Sequence, residues 1–250
     1  MAKNDIKPKD QGGALMVIDF AADAGMGLEN MTSQDMAIPF FNVLQKLSPQ
    51  CDTIEGAKAG MIFNTVTEQS YKEIKVIPCA YKREFVEWRP RASGGGLVGQ
   101  HNITSDVVST AKNIDGKLTT AAGNVLVETA YHFVLSVSDS GSGSIEPGLI
   151  VMSSTQLKKN RRWNSLMNNL KVQGPNGMVT PARFSHMYKL GTIQEQNDKG
   201  AWFGWTIDTI GPVTDASIYQ AARDFAQQVS SGTVKTAAPE QDQAETVQHF

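Results

Sequence analysis

A chain of 250 residues can bury a substantial core, and 40% hydrophobic against 19% charged residues excludes disorder throughout. A formal net charge of −2 excludes a global positive field, so any hold on a polyanion has to come from local clustering. The longest apolar runs fall well short of a membrane span, and the opening MAKNDIKPKDQGG is polar where a secretory signal carries an apolar core, so a cytoplasmic protein is expected.

Residues 1–30 read as a flexible N-terminal arm in which only LMVIDF, 15–20, is apolar enough to dock. SQDMAIPFFNVLQKL then places Ile38, Phe41, Val43, Leu44 and Leu47 with helix-like offsets inside it. The spacing predicts a short helix with Pro39 in its first turn, stopped by Ser48 and Pro49. From 60 to about 152 the pattern changes: GMIFNTVT, IKVIPCAY, REFVEW, NVLVETAYHFVLSVS and GLIVMSS are β-branched and aromatic runs separated by turn residues, most of a sheet. DSGSGSIEPG, 139–148, is expected to be a flexible connection between two of these strands.

A helix is expected over SSTQLKKNRRWNSLMNNLK, then a turn at QGPNG, then a hairpin within 183–210 closed by NDKG. TDASIYQAARDFAQQVSSG predicts a final helix: Thr214 or Asp215 caps it, Ile218, Ala222, Phe225 and Val229 form its apolar stripe, and Gly232 ends it. Residues 233–250 read as a disordered acidic tail. The expectation is one β-rich domain over 31–232, of α+β class, with an OB-like, partly open barrel and inserted helices as the economical architecture.

Signatures of catalysis are missing. GGGLVGQH at 94–101 lacks the lysine and glycine spacing of a phosphate loop, Cys51 and Cys79 are too distant for a zinc motif, and His101, His132, His186 and His249 are scattered. No enzyme, cofactor or metal is expected.

Binding signals are stronger. In YKREFVEWRPRASGGG, 81–96, strand alternation puts Tyr81, Arg83, Phe85, Glu87, Arg89 and Arg91 on one face and Lys82, Glu84, Val86 and Trp88 on the other. Arginine pairs with phosphate and stacks on bases, while a ring offers its face to any base. The same residues also suit a core strand in which Glu84 and Glu87 pair the arginines across the sheet. A second cluster, Lys158, Lys159, Arg161, Arg162 and Lys171, has no acidic residue within 153–171, and on a helical wheel its cations lie away from the stripe Trp163, Leu166, Met167 and Leu170. In the hairpin, Phe203 and Trp205 share a face and Trp202 takes the other; one ring set is expected in the core and the other on a stacking surface. The tail holds Glu240, Asp242 and Glu245 and ends in Phe250; it suits docking to a partner or folding back over the chain's own basic groove, and by itself it reads equally as an incidental solubilising tail.

This combination of a basic, aromatic β-domain and an acidic tail ending in phenylalanine resembles the single-stranded DNA-binding proteins of bacteria and tailed bacteriophages. FFNVLQKLSPQ, GMIFNTVT and VEWRPR followed by glycines also resemble conserved small proteins of tailed phages. The resemblance implies sequence-independent binding of single-stranded DNA in phage replication or recombination, within the host cytoplasm. Arg83, Phe85, Trp88, Arg89, Arg91, Lys158, Lys159, Arg161 and Arg162 would hold the strand, and Phe250 would present the tail to replication proteins. The alternative is a phage protein-interaction module, a virion component or a binder of a host enzyme.

Overall fold

The computed structural model describes residues 22–31, 35, 37–138, 144–198 and 200–234. The chain divides after residue 36. In the first unit the described residues form successive turns, closed by Met26 N to Asp23 O (3.2 Å), Leu28 N to Gly25 O (3.1 Å) and Met31 N to Leu28 O (3.0 Å).

The second unit begins with β1 (Phe41–Val43), α1 (Gln50–Thr53), β2 (Ile62–Asn64) and β3 (Ser70–Tyr71). It continues through β4 (Ile74–Trp88), β5 (Leu97–Asn102), α2 (Asp106–Thr110), β6 (Lys112–Ile114), β7 (Lys117–Thr119), β8 (Val125–Val137) and β9 (Ile145–Ser153). It closes with α3 (Leu157–Asn169), β10 (Val172–Gly174), β11 (Gly177–Val179), β12 (His186–Asn197), β13 (Gly200–Pro212) and α4 (Ala216–Ser230). This is the expected β-rich α+β class. The main antiparallel sheet runs β13-β12-β4-β8-β7-β6, with β5 also paired to β4 and β9 to β8, and it does not close.

β4 and β8 are the axis, paired from Lys75 and Val137 to Trp88 and Val125. The runs IKVIPCAY and REFVEW, separate in the sequence reading, are one 15-residue strand. Pro78 sits in a central strand, where it has no N–H to donate, and the ladder accommodates it with a register shift between Pro78 and Ala80. Alternation then sorts the core. Ala130 and Val134 of β8 pack with Trp163 and Met167 of α3, whereas Tyr131, Phe133 and Leu135 pack with Ala222 and Phe225 of α4. The two helices therefore cover opposite faces of the same strand.

The helix expected around Pro39 does not form. Phe41–Val43 is a strand paired to β2, and Pro39 O accepts from Leu149 N (2.8 Å), holding the segment beside β9. Its apolar residues serve different clusters: Phe41 joins the α3 side, Ile38 packs on the α4 side, Leu44 packs with Ala57 and Phe63, and Leu47 is exposed. Periodicity could not reveal that tertiary partners claim these residues one at a time. Ser48 and Pro49 lie at the entrance of α1, with Pro49 as its N-terminal flanking residue.

The hairpin is as expected, β12 and β13 pairing from His186 and Pro212 to Asn197 and Gly200. So is the final helix. Asp215 caps α4 by accepting from Ser217 N (2.8 Å) and Ile218 N (3.1 Å), Ala222 and Phe225 are buried, and Gly232 takes φ of +76° just beyond it. The expected connection at 139–148 is in part strand, since β9 starts at Ile145; 139–143 lie outside the described residues.

A candidate nucleic-acid interface

The 81–88 segment alternates as its sequence implies, but its chemistry is divided. Val86 is fully buried and Trp88 is 4% exposed, so Trp88 belongs to the core and presents no ring to a base, a correction to its place among the strand-binding residues. On the opposite face Arg83 is exposed, its Nη1 3.4 Å from Glu128 Oε1 of β8, and Phe85 is half-buried. Arg83, the arginine of the strand itself, pairs across the sheet with Glu128 and not with Glu84 or Glu87. Glu84 pairs with Lys82 at 2.5 Å, and Glu87 meets His101 Nε2 of β5 at 2.6 Å. Glu87 also accepts from Asn124 Nδ2 (2.8 Å) and Thr120 Oγ1 (3.4 Å). Burial acts to raise the Glu87 carboxyl, but the bonds from Asn124, His101 and Thr120 outweigh it and hold the group below the usual range.

Arg89 and Arg91 continue past the strand rather than along its face. Arg89 N donates to Gly96 O (2.9 Å), closing the β4–β5 loop, and Arg91 opens a 3-10 turn. Gly94, Gly95 and Gly96 all have positive φ and form the loop between the two strands. At about 3.3 Å per residue, Arg89 is about 20 Å from Arg83. The seven basic residues expected to hold the strand therefore do not make one patch: Arg89 and Arg91 occupy the far end of β4.

The second cluster is better gathered. α3 buries Asn160, Trp163 and Met167 and exposes Lys158, Arg161 and Arg162. None of these three cations has an acidic partner among the described residues. Lys159 does: its Nζ lies 2.7 Å from Glu195 Oε1 of β12. The other oxygen of Glu195 accepts from Trp202 Nε1 of β13 at 3.2 Å. One carboxylate thus ties a half-buried indole to the basic helix, and Arg162 follows Lys159 by three residues, its neighbour on the helix surface. Of the hairpin rings, Trp205 is core at 3% exposure and Phe203 packs over Gly60, while Trp202 reaches α3 through Glu195 and Lys159.

A polar core element seats α3. His132 of β8, fully buried, is 2.8 Å from Asn160 Oδ1 by its Nε2 and stacks on Trp163 with ring centroids 4.4 Å apart. Arg183 Nη2 donates to His132 Nδ1 (3.2 Å), which leaves the proton on Nε2 to reach Asn160. Burial, and then the Arg183 charge, push His132 down to about 3, so the imidazole is neutral. Asn160 Nδ2 donates to the Tyr81 hydroxyl (3.3 Å), and Tyr81 is two residues from Arg83 on the same strand face. Arg83 is consequently the one strand cation of the set that lies next to α3.

A family model matches residues 9–235, and its description is Pam3 phage gp34-like protein. The chain belongs to this family of phage proteins. No curated protein and no solved structure matches it. In this gp34-like chain the C-terminal signal, including Phe250, and most of the expected N-terminal arm lie outside the described residues. Among the described residues no helix is long and apolar enough to cross a membrane, and no group of His, Cys, Asp and Glu is arranged to hold a metal ion.

Proposed function

We propose that this gp34-like protein binds single-stranded DNA without sequence preference, in phage replication or recombination. The observation that carries the reading is the Glu195 bridge, which joins the Trp202 indole to a helix whose Lys158, Arg161 and Arg162 have no acidic partner among the described residues. A track of cations with a partly exposed ring is what unspecific strand binding needs: the cations follow the backbone and the ring stacks on whatever base arrives. Arg83 extends the track from β4, and Phe85 is a second, half-buried ring on that face.

Three cations without acidic partners give a logarithmic salt slope of roughly −2, at about 0.7 per phosphate on a single strand. Polarization titrations of a labelled oligonucleotide at several salt concentrations measure it. Replacing Arg161→Ala and Arg162→Ala together should reduce the slope to roughly −0.7 and weaken binding to every sequence alike.

A protein-interaction role is the second reading, and one observation favours it at the other end of β4. Leu97 and Val98 of β5 are exposed, 48% and 43%, directly after the loop that carries Arg89 and Arg91. Apolar positions framed by arginines are the composition of a protein interface. On this reading Arg89→Ala and Arg91→Ala leave oligonucleotide affinity unchanged; a loss equal to that of the α3 variants assigns the loop to DNA instead.

A further inference from the structure

Beneath α3 a positive charge is enclosed without a counter-charge. Arg183 lies in the 3-10 turn before β12, mostly buried, with Nη1 donating to Asn164 Oδ1 (3.0 Å), Nη2 to His132 Nδ1 (3.2 Å), and its guanidinium carbon 5.2 Å from the Tyr81 ring centre. Among the described residues no carboxylate is within ion-pair distance of it. Buried charges are ordinarily paired, and each partner here is neutral.

The neighbouring polar atoms repeat the deficit. Arg183 Nε, Trp163 Nε1 and the Tyr188 hydroxyl are all buried without a hydrogen-bond partner among the described residues. Trp163 and Tyr188 are both fully buried and touch edge to face, centroids 5.8 Å apart, while Trp163 stacks on the His132 that Arg183 contacts. All three orphan groups can donate. The acceptors beside them, His132 Nδ1, Asn164 Oδ1 and Asn160 Oδ1, are already taken. What the cluster lacks is a negatively charged group with several acceptor oxygens.

We propose that this cluster of Arg183, Trp163 and Tyr188 is a binding site for a phosphate-type oxyanion. Such a group supplies the missing charge and meets the guanidinium Nε edge with oxygens, the geometry in which arginine holds phosphate best. Arg183, Asn164, Tyr81 and Ser185 each keep partial exposure, so the edge of the cluster at β4, α3 and the turn at 183–185 reaches solvent. The same chemistry is offered by inorganic phosphate and by the terminal phosphate of a DNA strand. The site does not depend on the strand-binding surface, because it uses the buried side of α3 and not its exposed cations.

The test is a phosphate titration of the full chain, with chloride balancing ionic strength, read as the thermal midpoint. A saturable rise of several degrees is expected. Arg183→Gln should abolish it, Tyr188→Phe should weaken the apparent phosphate affinity several-fold in a folded protein, and Arg223→Ala on α4 should leave it intact. A several-fold preference for a 5′-phosphorylated over a 5′-hydroxyl oligonucleotide, lost in Tyr188→Phe, identifies a strand terminus as the ligand; equal affinities with the phosphate response present identify the free anion. Phosphate acting no differently from chloride, with no preference for the phosphorylated end, overturns the proposal and leaves water at these donors. A phosphate response unchanged in both Arg183→Gln and Tyr188→Phe overturns it equally.

Discussion

Trp88 and Trp202 are both tryptophans of long strands, and the fold gives them opposite placements. Trp88 faces the core at 4% exposure, whereas Trp202 stands half-buried beside α3 with its N–H on Glu195. Trp202→Ala should weaken single-strand binding about 5- to 150-fold, the worth of one stacked base, and leave the denaturation midpoint nearly unchanged. Trp88→Ala should do the reverse, costing about 3–5 kcal/mol of stability in a urea titration. Strand alternation alone separated Trp88 from Arg83 and Phe85, and separated Trp202 from Trp205. It could not say which side of each strand would be covered, because that depends on where α3 and α4 dock.

Two titrating residues act in pH windows that open at different values, 6.5 for His132 and 4.5 for Glu87. His132 is neutral in the fold, with its pKa pushed down to about 3 from 6.5, while the unfolded chain takes up a proton near 6.5. The unfolded state therefore binds more protons between those values, and stability must fall as pH drops below 6.5, by up to about 1.4 kcal/mol per pH unit. Urea midpoints measured from pH 7 to pH 5 should show this decline, and His132→Asn should flatten it. Glu87 has its folded pKa held below the ordinary 4.5, so its contribution is complete above that value and is lost as pH falls further. Glu87→Gln should alter only this more acidic limb.

At the scale of elements, α3 joins a core face to a charged face, and both were legible from its sequence. Trp163 and Met167 are buried, Lys158, Arg161 and Arg162 are exposed, and the absence of acidic residues over 153–171 persists as an absence of acidic partners for those three among the described residues. What the linear pattern could not reveal was Glu195, 36 residues beyond Lys159, which neutralises that lysine and brings Trp202 to the helix. The segment around Pro39 shows the opposite outcome. Its helix-like spacing was overridden by pairing of the backbone with β2 and β9 and by insertion of Phe41 against Gly148. A β-carbon at Gly148 would fall 2.2 Å from Phe41 Cε2, so Gly148→Ala should destabilise the protein by about 1–3 kcal/mol, read as a lower urea midpoint with an unchanged slope.

Along β4, the open sheet separates two surfaces that the sequence reading joined into one. β4 runs from the neighbourhood of α3, where Tyr81 meets Asn160, to the β4–β5 loop, where Arg89 and Arg91 sit about 20 Å from Arg83. The class, the long hairpin and the capped final helix were readable from periodicity and turn residues, since each rests on local chemistry. The grouping of cations was not, because it is set by which strands pair and by where β4 stops. The function we propose is strand binding by the α3 face with Trp202. Its most direct test is the affinity of the full chain for labelled single-stranded oligonucleotides of differing sequence across several salt concentrations. The expected result is similar affinity for all sequences, a logarithmic salt slope of roughly −2, and a slope near −0.7 when Arg161 and Arg162 are alanine. No measurable binding at low salt, or a slope that the α3 substitutions leave unchanged, would contradict it.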